Sequence, residues 1–74
     1  SIIILVEKYL NEKYEAICPK CRGKRIKVKE FLSQNPKGVY LITMRGHITC
    51  AIDGVVYDTW DCTNKLIWNV WKVC

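Results

Sequence analysis

Asp53-Gly54 stands between two runs of strand-forming residues, His47 to Ile52 and Val55 to Trp60. A type I′ turn needs positive φ at both central positions, and Asp-Gly is one of the few dipeptides that accept this. The two runs are therefore expected to fold back on each other as a hairpin. With that turn Ile52 opposes Val55, and the register continues to Thr49 opposite Asp58 and His47 opposite Trp60. Side chains alternate along a strand, so His47, Thr49, Val56, Asp58 and Trp60 share one face. His47 and Asp58 are diagonal neighbours on it, about 7–8 Å apart at the backbone and within side-chain reach.

The rest of the sequence supplies the elements around that hairpin. Ile2, Leu5, Val6, Tyr9, Leu10, Tyr14 and Ile17 recur at three- and four-residue spacing among charged residues, which predicts an amphipathic helix from Ile2 to Ile17. Pro19 stops it, and Arg22-Gly23-Lys24 reads as a turn. A short second helix over Lys27 to Gln34 buries Val28, Phe31 and Leu32 and ends at Asn35-Pro36-Lys37-Gly38. Val39 to Arg45 and Leu66 to Val73 are further runs of β-forming residues. The expected fold is α+β: an N-terminal helix, a short second helix, then about four antiparallel strands, with the helices over one face. Residues 1–74 read as one domain, helical and basic through residue 34 and sheet from residue 39. The connections are too short for parallel crossovers.

At 74 residues the chain buries only roughly 60% of its extended surface, which leaves no room for separate substrate and cofactor lobes. The run Ile2 to Val6 is far short of the roughly 20 apolar residues of a membrane span, so no membrane association is expected. Ser1 followed at once by this run suggests a fragment. Five cysteines, an odd number, disfavour a disulfide scaffold and suggest a reducing, cytoplasmic setting. The net charge is +5, and the excess is N-terminal: residues 1–38 hold nine Lys/Arg against four Asp/Glu, while residues 39–74 hold three of each. Lys20, Arg22, Lys24, Arg25, Lys27 and Lys29 lie close together with no acid among them, either a solvated face or a local positive field.

Two features carry chemistry. A carboxylate bonded to one imidazole nitrogen fixes the tautomer of a histidine, and an indole over the pair excludes water; this is how a histidine becomes a general base for a nearby nucleophile. His47, Asp58 and Trp60 have these residue types in that arrangement. The plain alternative is a strand histidine packed on an indole beside an acid. The segment from Asn35 through Gly46-His47 and Asp53-Gly54 to Asp58-Thr59-Trp60-Asp61 resembles the C-terminal half of small papain-like cysteine peptidase domains of bacteriophage and bacterial proteins, over roughly Lys24 to Val73. In that fold a histidine on one strand is oriented by an Asn or Asp on the next, and a Trp two residues on shields the bond; Asp58-Thr59-Trp60 is similar to that pattern. The resemblance implies His47 as general base, Asp58 orienting it and Trp60 screening both, on a peptide or protein substrate.

The sequence departs from the family at the nucleophile, a cysteine at the start of an upstream helix. The expected first helix has none. Cys50 falls on the face opposite His47, Cys62 and Cys74 lie at or beyond strand ends, and Cys18 and Cys21 precede a turn. A thiolate needs its base within about 3 Å, so the chain alone is not expected to hydrolyse anything.

The second feature is Cys18-Pro19-Lys20-Cys21-Arg22-Gly23, which resembles a zinc knuckle. Tetrahedral zinc needs four ligands, so two of His47, Cys50, Cys62 and Cys74 would have to complete the set. No cofactor is otherwise expected. The alternative function is a non-catalytic binding or inhibitor protein of the kind phages encode, or a knuckle that binds nucleic acid through the basic turn.

Overall fold

Asp53 and Gly54 have φ of 49° and 84°, the two positive values that a type I′ turn requires. In the computed structural model, which describes residues 2–74, this turn joins β5 (His47–Ile52) to β6 (Val55–Tyr57). Ile52 pairs with Val55, Ala51 with Val56 and Cys50 with Tyr57, the register expected from sequence. β6 stops at Tyr57, however, short of Trp60. The Asp58 side chain takes up its neighbour's amide, Thr59 N–H donating to Oδ1 at 2.7 Å, and such a local bond competes with continued strand pairing.

The remaining elements are α1 (Ile2–Lys13), β1 (Ala16–Ile17), β2 (Lys20–Cys21), β3 (Lys24–Arg25), α2 (Val28–Gln34), β4 (Val39–Met44) and β7 (Asn69–Lys72). An antiparallel sheet has the order β1-β7-β4-β5-β6, and β2 and β3 form a separate hairpin. The α+β class and antiparallel pairing agree with the sequence reading; the main sheet has five strands where about four were expected. The extra strand comes from the predicted first helix, which ends at Lys13. Backbone leading into Pro19 favours an extended form, and the β7 edge offers it partners: Ala16 pairs with Trp71 and Ile17 with Val70.

Register assigns the faces. Tyr40, Ile42, Met44, Thr49, Ala51 and Val70 point to one side and are buried there with Val28, Phe31 and Leu32 of α2, and with Ile26, Cys62 and Ile67. Phe31 meets Tyr40 edge-on, ring centroids 5.1 Å apart. Trp71 points the other way, fully buried, and its Nε1–H donates to Asn11 Oδ1 of α1 at 3.0 Å. The helices therefore lie on opposite faces, contrary to the expectation that both cover one. α1 contributes little to burial: Leu10 is its one buried residue, while Ile2, Leu5 and Tyr9 of the predicted apolar face stay exposed. The periodicity identified the helix correctly, but a narrow sheet end covers only a narrow arc of it.

Leu66 to Val73 is not one strand. Residues 65–67 bond to the segment before and at the start of α2, with Val28 N–H donating to Lys65 O at 3.0 Å and Ile67 N–H to Ile26 O at 2.9 Å. Only after Trp68 N–H donates to Thr43 O at 2.8 Å does the chain join β4 as β7. The opposite end is closed by two reciprocal bonds: Gly38 N–H donates to Asp53 Oδ1 and Asp53 N–H to Gly38 O, both at 2.9 Å. Gly38 has φ +107°, and a Cβ there would lie 3.0 Å from the Cys74 carbonyl oxygen, so the position requires glycine. No helix among the described residues is long and apolar enough to cross a membrane.

Candidate active site

β5 carries His47 and Thr49 on the α2 side of the sheet, and the segment leaving β6 carries Asp58 and Trp60 towards them. Although the β6 ladder has ended by Asp58, the side chains still meet. The His47 ring donates from Nε2–H to Asp58 Oδ2 at 2.6 Å, and the two side chains are 27% and 11% exposed. Trp60 lies over the imidazole with ring centroids 4.8 Å apart and planes tilted by 46°. The indole is itself half-exposed, forming a wall rather than part of the core.

Each Asp58 oxygen has its own partner. Oδ1 accepts from Thr59 N–H, which fixes the plane of the carboxylate and presents Oδ2 to the ring. The Thr49 hydroxyl close to it, though outside hydrogen-bond geometry, the His47 ring and the Thr59 amide hold the Asp58 carboxyl well below the usual carboxylate range. Asp58 is thus an anion at neutral pH, as a group that orients an imidazole must be. With Nε2 so engaged, Nδ1 is the nitrogen left to exchange a proton.

Beside the pair opens a cleft of about 520 Å³, lined by Met44, Arg45, Gly46, His47, Trp60 and Trp68 together with residues 64–66. Its walls are mainly apolar. Arg25 braces its far side, donating from Nη1 to the carbonyls of Ile67 at 3.2 Å and Trp68 at 3.1 Å.

Cys62, which sequence reasoning left at a strand end, packs against the same aspartate. It is fully buried, and its thiol lies 3.9 Å from Asp58 Oδ2. Asp61 makes this happen by accepting from both Thr63 N–H, at 3.0 Å, and Thr63 Oγ1–H, at 2.6 Å, a side-chain-built turn that swings Cys62 inward. The Asp61-Cys62-Thr63-Asn64 run was the available signal for that turn. Burial pushes the Cys62 thiol up, and the charges of Asp58 and Asp61 push the same way. Such a thiol is a poor nucleophile. Cys50 pairs with Leu41 and Tyr57 and so lies on the opposite face, as expected. Among the described residues no cysteine hydrogen-bonds to His47.

Cys18 and Cys21 are both exposed, and Cys18 Sγ accepts from Arg25 Nη1 at 3.8 Å. Among the described residues no third ligand closes on them; the group of His, Cys, Asp and Glu atoms that converges is His47, Asp58 and Cys62. The six basic residues are divided between the β2–β3 hairpin and the start of α2. Lys20, Arg22 and Lys24 stand exposed on the β2–β3 hairpin, whose turn places Arg22 and Gly23 at φ 55° and 77°. Arg25 is held by the two carbonyls, the Lys27 amide donates to Glu30 Oε1 at 3.4 Å just before α2, and Lys29 is exposed on that helix.

Compared with known proteins, the chain matches no family model, no curated protein and no solved structure.

Proposed function

We propose that this chain is the base-bearing half of a papain-like thiol peptidase or amidase, with His47 as general base, Asp58 as the residue that positions it and Trp60 as the screen. The observation carrying this reading is the 2.6 Å bond from His47 Nε2 to Asp58 Oδ2 beneath the Trp60 ring, at the mouth of an apolar cleft. In the proposed reaction Nδ1 takes the proton of an incoming thiol, and the thiolate adds to a substrate carbonyl carbon. The imidazolium, stabilised by Asp58, then returns the proton to the leaving amine, and water hydrolyses the resulting thioester. The thiol comes from outside the described cysteines, since Cys62 is buried on the Asp58 side and Cys50 is on the other face. The α+β class with antiparallel strands is compatible with this reading.

The test is brief labelling of the complete gene product with one equivalent of iodoacetamide at about pH 6, where only an activated thiol reacts quickly. One fast-labelling cysteine outside residues 1–74 is expected, slowed in His47→Ala and in Asp58→Ala and partly restored in Asp58→Asn. Absence of any thiol whose labelling depends on His47 would overturn the reading.

A second reading is favoured by the β2–β3 hairpin, where Lys20, Arg22 and Lys24 project without an acidic neighbour: a non-catalytic module holding a phosphate-bearing or acidic partner. Neutralising these three residues should then abolish capture of the partner in a salt-dependent manner, and unchanged capture would exclude the hairpin.

A further inference from the structure

We propose that His47, Asp58 and Cys62 form a binding site for one thiophilic divalent cation of the zinc class. One ligand atom of each residue lies within 4.8 Å of the other two, with His47 Nε2 to Asp58 Oδ2 at 2.6 Å and Oδ2 to Cys62 Sγ at 3.9 Å. Tetrahedral zinc with bonds of about 2.0–2.3 Å sets its ligands roughly 3.3–3.5 Å apart. The observed separations fall on either side of that range. Entry of an ion opens the His47–Asp58 contact by about 0.7 Å and draws the sulfur in by about 0.4 Å towards Asp58 and up to about 1.3 Å towards His47, movements within the reach of side-chain rotations.

The donor set discriminates among ions. A nitrogen, a single carboxylate oxygen and a sulfur suit zinc or cobalt, and they are a poor set for calcium or magnesium, which take oxygen. Supporting groups are already in place. Thr59 N–H holds Oδ1, which leaves Oδ2 as a monodentate ligand. Thr49 supplies an independent observation: its hydroxyl is buried without a hydrogen-bond partner on the sheet face of His47, opposite Asp58 if the β5–β6 register is continued. Buried hydroxyls are rarely left unpaired, and this one is placed to donate to a ligand carboxylate or to a water on the ion. With three protein ligands, the fourth position of a tetrahedral ion is open to such a water.

Protons balance as follows. The His47 ring proton moves from Nε2 to Nδ1, freeing the Nε2 lone pair, and the Cys62 thiol proton leaves to solvent. One proton is thus released per ion bound to the neutral imidazole. The cation site stands whether or not His47 serves as a base. If it does, bound metal silences it, because Nδ1 then carries a proton.

Cobalt(II) titration of the purified chain, read by visible absorption and by native mass with zinc, tests the site. One equivalent should bind, with tetrahedral d–d bands and a thiolate-to-cobalt charge-transfer band. Cys62→Ser should remove the charge-transfer band, and His47→Ala and Asp58→Asn should each weaken binding at least about tenfold. Cys18→Ser combined with Cys21→Ser should leave the spectrum unchanged. His47 is partly exposed, so its variant carries the test should Cys62→Ser fail to fold. Absence of stoichiometric binding, full binding in His47→Ala, or loss of the bands in the Cys18/Cys21 variant would overturn the proposal.

Discussion

Arg25 and Trp68 are joined twice: the guanidinium donates to the Trp68 carbonyl at 3.1 Å and lies 5.9 Å from the centre of the indole. The β2–β3 hairpin is thereby fastened to the wall of the cleft, although the two residues are 43 apart in sequence. Arg25→Ala should cost about 1 kcal/mol in urea denaturation, where Arg25→Lys recovers little because a point charge cannot reach both carbonyls and the ring. Trp68 emission should shift to longer wavelength in the alanine variant.

Among the described residues, Asn11 is the hydrogen-bond partner of the buried Trp71 indole and the clearest anchor of α1. Asn11→Leu leaves a buried N–H without an acceptor, which costs about 1–3 kcal/mol. Asn11→Gln should recover part of that loss. Exchange of the α1 amides followed by mass spectrometry should accelerate in the leucine variant before the sheet loosens.

At Gly38 positive φ and a 3.0 Å approach to the Cys74 carbonyl act together. Gly38→Ala is expected to destabilise by roughly 1–3 kcal/mol, with an unchanged denaturant slope. Gly46→Ala offers the contrast: its φ is +69°, but open space surrounds the position, so the loss should be smaller.

Acid should weaken the metal-free protein in a defined direction. Asp58 is held low first by Thr49 and then by His47, and Asp61 by the Thr63 hydroxyl and amide. A carboxyl whose folded pKa is depressed contributes stability that is complete above its unfolded value of about 3.9 and is lost as the pH falls through the lower folded value. Thermal melts should therefore hold steady on acidification until about pH 4 and then fall, less steeply in Asp61→Asn than in wild type. An identical acid slope in that variant would show that Asp61 gains nothing from Thr63.

Much of this architecture was legible because local chemistry and global pattern agree. Asp53-Gly54 specified a turn, the turn specified register, and register put His47, Thr49 and Asp58 on one face. What escaped sequence reading depends on contacts between distant segments. Ala16 and Ile17 look like the end of an amphipathic helix, and only the unpaired edge of β7 makes them a strand. Leu66 and Ile67 look like β-sheet and are extended, but their partners are Ile26 and Lys27, not a neighbouring strand of the sheet. Cys62 was passed over because a side-chain-built turn, not an element, brings it to Asp58.

β6 is only three residues long, and the reason is that Asp58 spends one oxygen on the amide of Thr59. Extending the β5–β6 ladder to Trp60 would have to take that amide away from Asp58 Oδ1. The bond that sets the plane of the Asp58 carboxylate therefore also keeps short the edge along which a second chain could pair.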